Sequence, residues 1–102
     1  MKKDKFQIRF LRIAEEDLLE IITYIAIDNP TAAEKFAEKI ENKVSKLGSN
    51  PLIGKRPREI EFKNLNYFYL IIDNYLVFYT IEDKTIFIHR ILHSARDYKS
   101  IL

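Results

Sequence analysis

The stretch from Asn74 to Leu102, NYLVFYTIEDKTIFIHRILHSARDYKSIL, restricts the folds open to this chain more than any other. It reads as two apolar strands, Tyr75–Ile81 and Ile86–Leu92, joined by the charged turn Glu82-Asp83-Lys84-Thr85. Both segments are rich in aromatic and β-branched residues, which suit a pleated, packed surface. The turn has neither Gly nor Asn, so the primed two-residue turns are not signalled and the turn type stays open. Pairing Ile81 with Ile86 sets the register and sorts the side chains, because neighbours on a strand point to opposite faces. One face then carries Tyr75, Val77, Tyr79, Ile81, Ile86, Ile88, Arg90 and Leu92, and the other Leu76, Phe78, Thr80, Phe87, His89 and Ile91. Neither face is polar enough to be left to solvent. A sheet apolar on both sides has to be covered on both sides, by its own chain or by a partner.

What can cover it is bounded by size. A chain of 102 residues makes one domain, and 47% hydrophobic with 31% charged residues marks it as globular. There is no cysteine, which excludes disulfides and thiolate metal sites and fits a reducing, cytoplasmic setting. No apolar run approaches the roughly 18 residues of a membrane span, and the basic start MKKDKFQIRF lacks the apolar core of a signal peptide. A net charge of +2 does not argue for nucleic-acid binding. The charges are nonetheless uneven: Lys2, Lys3, Lys5, Arg9 and Arg12 mark the start, Lys55, Arg56 and Arg58 a middle loop, and Glu15, Glu16, Asp17 and Glu20 the opening of a helix. Acids there suit the helix dipole, and the basic loop reads first as a solvated surface.

Taken in order, Phe6 to Ile13 alternates as a half-buried strand. From Ala14 the period becomes helical, with Ala14, Leu18, Ile21, Ile22 and Ile25 on one face. Asn29-Pro30 ends that helix and starts a second, Asn as cap and Pro at the first helical position. The second helix lines up Ala33, Phe36, Ala37, Ile40, Val44 and Leu47, and Gly48 is predicted to end it as a left-handed terminator. Two such helices form an antiparallel hairpin with one shared apolar face. The loop SNPLIGKRPR (Ser49–Arg58) carries two Pro and one Gly. Asn66 to Ile72 is the next strand, with Tyr67, Tyr69 and Ile71 on one side and Phe68, Leu70 and Ile72 on the other. Asp73-Asn74 turns it into the terminal hairpin, after which Ser94 or Asp97 can cap a short last helix. The expected fold is α+β in two layers, an antiparallel sheet of about four strands packed on a helical hairpin.

The AEEDLLEIITYIAIDNPTAAEKF hairpin, the NPLIGKRPR loop, the NYLVFY strand and the HRILHSARDYKSIL ending, in that order and spacing, resemble the RelE/ParE superfamily of bacterial type II toxins. The resemblance spans nearly the whole chain. It implies a toxin whose small sheet packs on a helical hairpin, with a cognate antitoxin wrapped over it. The superfamily divides by chemistry. The RelE branch cleaves mRNA in the ribosomal A site with basic strand residues and a C-terminal Arg beside a Tyr or His. The ParE branch resembles gyrase poisons that bind rather than catalyse.

RNA cleavage by 2′-OH attack needs a base, cationic stabilisation of the phosphorane and a proton for the leaving oxygen. Aligned on Tyr75-x-x-x-Tyr79, Leu76 stands where the endonuclease branch has an Arg, and Tyr67 and Tyr69 where it has lysines. Arg96 matches the C-terminal Arg, while Leu102 falls at the reactive Tyr. Leucine stabilises no phosphorane, and a phenol with a pKa of about 10 is uncharged at neutral pH. The chain therefore reads as a ParE-like toxin that inhibits DNA gyrase by binding, with no cofactor and no metal. The alternative is a ribosome-dependent endonuclease with His93 and Arg96 in its site. A third reading is a degenerate member that keeps only antitoxin binding. For His93 the competing role is a strand-end His bonded to a backbone carbonyl or to Asp97; for the tyrosines, base stacking competes with simple rim packing.

Two surfaces are predicted to bind partners. The basic segment Lys55, Arg56 and Arg58 is one, for an acidic partner. The other is the sheet face turned away from the helices, presenting Leu76, Phe78, Phe87 and Ile91 to the antitoxin. A shift of one residue in register would exchange the faces.

Overall fold

The computed structural model describes residues 5–57 and 66–95. Arg58, Arg96, Asp97, Leu102 and the expected terminal helix lie outside them. The elements are strand β1 (Gln7–Phe10), helices α1 (Arg12–Asp28) and α2 (Pro30–Ser45), a 3-10 turn (Lys46–Gly48), and strands β2 (Phe68–Ile72), β3 (Tyr75–Glu82) and β4 (Thr85–His93). The strand expected over Phe6–Ile13 is shorter, because α1 already begins at Arg12. Asn29 divides the helices as expected: its side chain accepts a hydrogen bond from Ala32 N–H at 3.0 Å, and Pro30 opens α2. Gly48 is not a left-handed terminator, since no described glycine has positive φ. Its carbonyl instead accepts from Phe6 N–H at 2.8 Å, and a Cβ there would lie 3.2 Å from the Phe6 carbonyl oxygen. The absent side chain permits close backbone approach rather than an unusual turn.

The sheet order is β1-β4-β3-β2. β2, β3 and β4 form the expected antiparallel meander, and β1 joins its far edge parallel to β4, with Ile8 opposite Ile86. The mixed character follows from the helical hairpin. It returns the chain to the starting end of β1, where Gly48 meets Phe6, so β2 runs in the direction of β1. Two further reversals then leave β4 parallel to β1. Asp73 and Asp83 lead the two-residue turns with φ of 53° and 55°, which Asp tolerates better than most residues.

The main core lies between the sheet and the hairpin. Ala14, Phe36, Ile40, Val44 and Leu47 pack against Ile72, Val77, Tyr79, Ile86, Ile88 and Ile91. Ile91 is a correction to the expected faces. The β3–β4 register runs as predicted from Ile81↔Ile86 to Tyr79↔Ile88, then shifts so that Phe78 faces Arg90. His89 is the extra residue of a β-bulge, and beyond it Ile91 and Leu92 exchange sides. Ile91 therefore faces the helices, and Leu92, expected there, joins Leu76 and Phe78 on the outer face. His89 turns to Thr80 and Tyr67, whereas Arg90 pairs with Asp17 of α1, so the two do not share a site.

Candidate functional site

The outer face of the sheet differs from the uncovered apolar patch that the alternation suggests. Leu76, Phe78 and Leu92 form a second cluster flanked by Tyr67 and Tyr69. The Tyr67 ring meets Phe78 edge-on at 6.4 Å, and the Tyr69 ring is tilted to it at 5.9 Å. Phe78 is 0% exposed and Leu76 9% exposed within the chain itself. Of the four residues expected to meet an antitoxin here, Phe78 and Ile91 are thus buried, Leu76 nearly so, and only Phe87 is half-buried. The tyrosines close the face because β2 alternates as predicted, Tyr67 and Tyr69 outward and Phe68, Leu70 and Ile72 inward.

At the bulge, the half-buried His89 ring sits between two hydroxyls, Nε2 at 2.8 Å from Thr80 Oγ1 and Nδ1 at 3.3 Å from Tyr67 Oη. Either hydroxyl can donate or accept, so both ring nitrogens are satisfied whichever one carries the proton. Burial pushes the imidazole pKa down, with Glu82 opposing, and burial raises that of the Tyr67 phenol. At neutral pH both are uncharged, and a hollow of about 400 Å³ opens over them, lined also by Asn66 and Glu82. His89 was not singled out from the sequence, although a His inside an apolar strand is a polar group that must find partners.

His93 lies at the exposed end of β4. Its Nδ1 accepts from Ala95 N–H at 3.0 Å and its ring meets Tyr75 edge-on at 5.3 Å. It therefore accepts from the backbone, where donation to a carbonyl was expected, and so Nε2 carries the proton in the neutral form.

The loop after α2 is held by a strand residue. The Tyr79 hydroxyl donates to the Pro51 carbonyl at 2.8 Å and accepts from Gly54 N–H at 2.9 Å. A Cβ on Gly54 would overlap the Tyr79 ring and hydroxyl, so glycine is required by space alone. Lys55 forms a two-bond β-bridge with Tyr69, both bonds 2.8 Å. Arg56 lies over the Phe68 ring at 4.8 Å, and Phe68 stacks on Tyr79 at 5.3 Å. The basic segment is thus pinned to the edge of β2, with the Lys55 and Arg56 side chains exposed.

One pairing escaped the sequence reading. Asp17 accepts from Arg90 Nε at 2.7 Å, from Arg90 Nη2 at 2.9 Å and from Ile91 N–H at 3.0 Å. The carboxylate bond holds the guanidinium pKa above its usual value. The Ile91 amide needs this acceptor because β1 ends opposite Ile88 and offers β4 no further ladder partner. A signal existed: Asp17 lies on the buried stripe of α1, three residues after Ala14 and four before Ile21, and Arg90 interrupts an apolar strand.

Beside β1, an apolar hollow of about 480 Å³ opens between Ile8, Phe10, Leu18, Ala37, Ile40 and Val44. Among the described residues no group of three His, Cys, Asp or Glu side chains is placed to hold a metal.

Comparison with known proteins agrees with this architecture. The fold is similar to that of a protein in the chromosomal ParDE toxin–antitoxin system of P. aeruginosa, at a TM-score of 0.73 and 20% identity over 89% of this chain and 98% of that one. It is also similar to a chain of the toxin–antitoxin complex RelBE2 from Mycobacterium tuberculosis, at a TM-score of 0.63 and 26% identity over 93% and 98%. No curated protein matches the chain. The family model described as the ParE toxin of the type II toxin–antitoxin system parDE matches residues 8–98, from β1 to beyond the last strand, and the chain belongs to that family.

Proposed function

We propose that this toxin acts by binding DNA gyrase, with a cognate antitoxin neutralising it, rather than by cutting RNA. The observation that carries this reading is the composition of the outer sheet face. The positions where the endonuclease branch carries cations hold Tyr67, Tyr69 and Leu76, and these are spent on packing around Phe78. A phosphorane formed at these three positions would meet phenols and a leucine in place of cations. The antitoxin partner is supported by the similarity to chains from ParDE and RelBE2 complexes. The surface that suits it is the apolar hollow between β1 and the helices, where the outer edge of β1 has no ladder partner among the described residues. Purified toxin should inhibit gyrase supercoiling and leave ribosome-bound mRNA intact. Cleavage of A-site mRNA by the purified protein, with supercoiling untouched, would refute the reading.

The endonuclease reading has one observation of its own, the His89–Tyr67–Thr80 cluster on the same face. A neutral imidazole in a polar hollow can exchange protons. If the protein cleaves RNA, His89→Gln should abolish cleavage while the fold survives.

A further inference from the structure

Helix α1 is apolar on more of its surface than its own core uses. Leu19, Tyr24 and Ile27 are 67%, 71% and 76% exposed, although Leu18, Ile21, Ile22 and Ile25 already supply the inward stripe. With Glu16, Glu20 and Thr23 they line an open hollow of about 400 Å³ along the outer side of the helix. A second hollow of about 230 Å³ lies against it, with Glu20 and Tyr24 as the shared wall and Asp17, Tyr75 and His93 beyond. Asp17 is committed to Arg90, and among the described residues Glu20 has no ion-pair partner. One compartment is therefore apolar and the other acidic and aromatic, a lining that receives an ammonium or guanidinium group.

Charge selects the occupant. α1 carries five carboxylates (Glu15, Glu16, Asp17, Glu20, Asp28) against one guanidinium, Arg12, in a chain whose net charge is +2. A second copy docked on the same face brings the same acidic lining and no Lys or Arg of α1 beyond Arg12 to meet Glu16 and Glu20. An anionic membrane would be repelled by that lining. We propose that the outer face of α1 docks a basic amphipathic helix of a partner protein. The apolar stripe of that helix occupies the Leu19–Ile27 hollow, and a Lys or Arg beside the stripe enters the hollow of Glu20, Tyr24 and His93. The proposal does not rest on the gyrase reading, since it uses the outer side of α1 and not the composition of the outer sheet face.

The test uses the purified chain and two synthetic helical peptides of about 18 residues, five turns, sharing one Leu/Ile stripe. One is flanked by Lys and the other by Glu. The Lys peptide is expected to bind, less tightly as salt rises, and the Glu peptide to fail. Leu19→Lys, Ile27→Lys and Glu20→Lys should each weaken binding by about tenfold or more. Their thermal melts should match the parent, because all three side chains are exposed. Equal binding of the two peptides, or binding that ignores the three substitutions, would overturn the proposal. So would a dimer in sedimentation that Ile27→Lys dissolves, which would make the occupant a second copy.

Discussion

Replacing Asp17 with Ala removes the acceptor for three hydrogen bonds, at 2.7, 2.9 and 3.0 Å, from Arg90 and the Ile91 amide. The Arg90 and Asp17 side chains are only 14% and 12% exposed, so water restores little of what is lost. Breaking a buried ion pair from one side costs about 3–5 kcal/mol, because the remaining charge is left uncompensated. The residual exposure and the freedom of the Arg90 side chain to swing toward solvent favour the lower end. An expected loss of about 3 kcal/mol is a large share of the roughly 5–15 kcal/mol that stabilises a domain of this size. At about 4–8 °C per kcal/mol for a domain near 100 residues, the melting temperature should fall by roughly 12–24 °C. Urea unfolding followed by circular dichroism measures the loss, and the double variant Asp17→Ala/Arg90→Met supplies the control. Removing both charges should recover part of the stability, since no unpaired guanidinium then remains. A loss of less than about 1 kcal/mol, the range of exposed pairs, or a double variant whose loss equals the sum of the singles, would refute the account of Asp17 as the clamp between α1 and β4.

Four further outcomes are expected. Tyr79→Phe removes the bond to Pro51 and orphans Gly54 N–H, and should cost about 1–3 kcal/mol; Gly54→Ala, which forces a methyl into the Tyr79 ring, should cost about as much by overpacking, both read by urea melts. His89 has its pKa lowered by burial, so the unfolded chain takes up a proton first as pH falls. Its contribution is complete above the unfolded value of about 6.5 and declines as pH falls from there toward the lower folded pKa; chemical melts at successive pH values should lose that part of the slope in His89→Gln. Phe78→Asp should unfold the isolated protein, because the ring is wholly buried in the chain's own second cluster and an unpaired carboxylate there has no solvation; a folded variant by circular dichroism would return Phe78 to the partner surface suggested by its alternation.

Much of the fold was legible because it rests on local rules. The helix boundary at Asn29-Pro30, the turn at Asp73-Asn74, and the starting pair Ile81↔Ile86 depend on residues adjacent in sequence, whereas the two-residue turn led by Asp83 was not signalled. Periodicity likewise marked the inward stripe of both helices and the alternation of β2, Tyr67 and Tyr69 against Phe68, Leu70 and Ile72. The composition of the outer face, with Tyr67, Tyr69 and Leu76 in place of cations, was open to reading in the same way. Residue type does not depend on how the chain packs.

The tertiary structure alone decided the rest. The bulge at His89 lies where β4 runs past the end of β1 and is met by Asp17, and one extra residue exchanged the sides of Ile91 and Leu92. Alternation cannot reveal a bulge, because it counts residues and not ladder bonds. The burial of Phe78 depends on Tyr67 and Tyr69 from another strand, and the Asp17–Arg90 pair joins residues 73 positions apart. Sequence determined which side chains were available and which faces were apolar. Which of those faces the chain covers itself, and which it leaves open along α1 and beside β1, depends on long-range packing that no local pattern encodes.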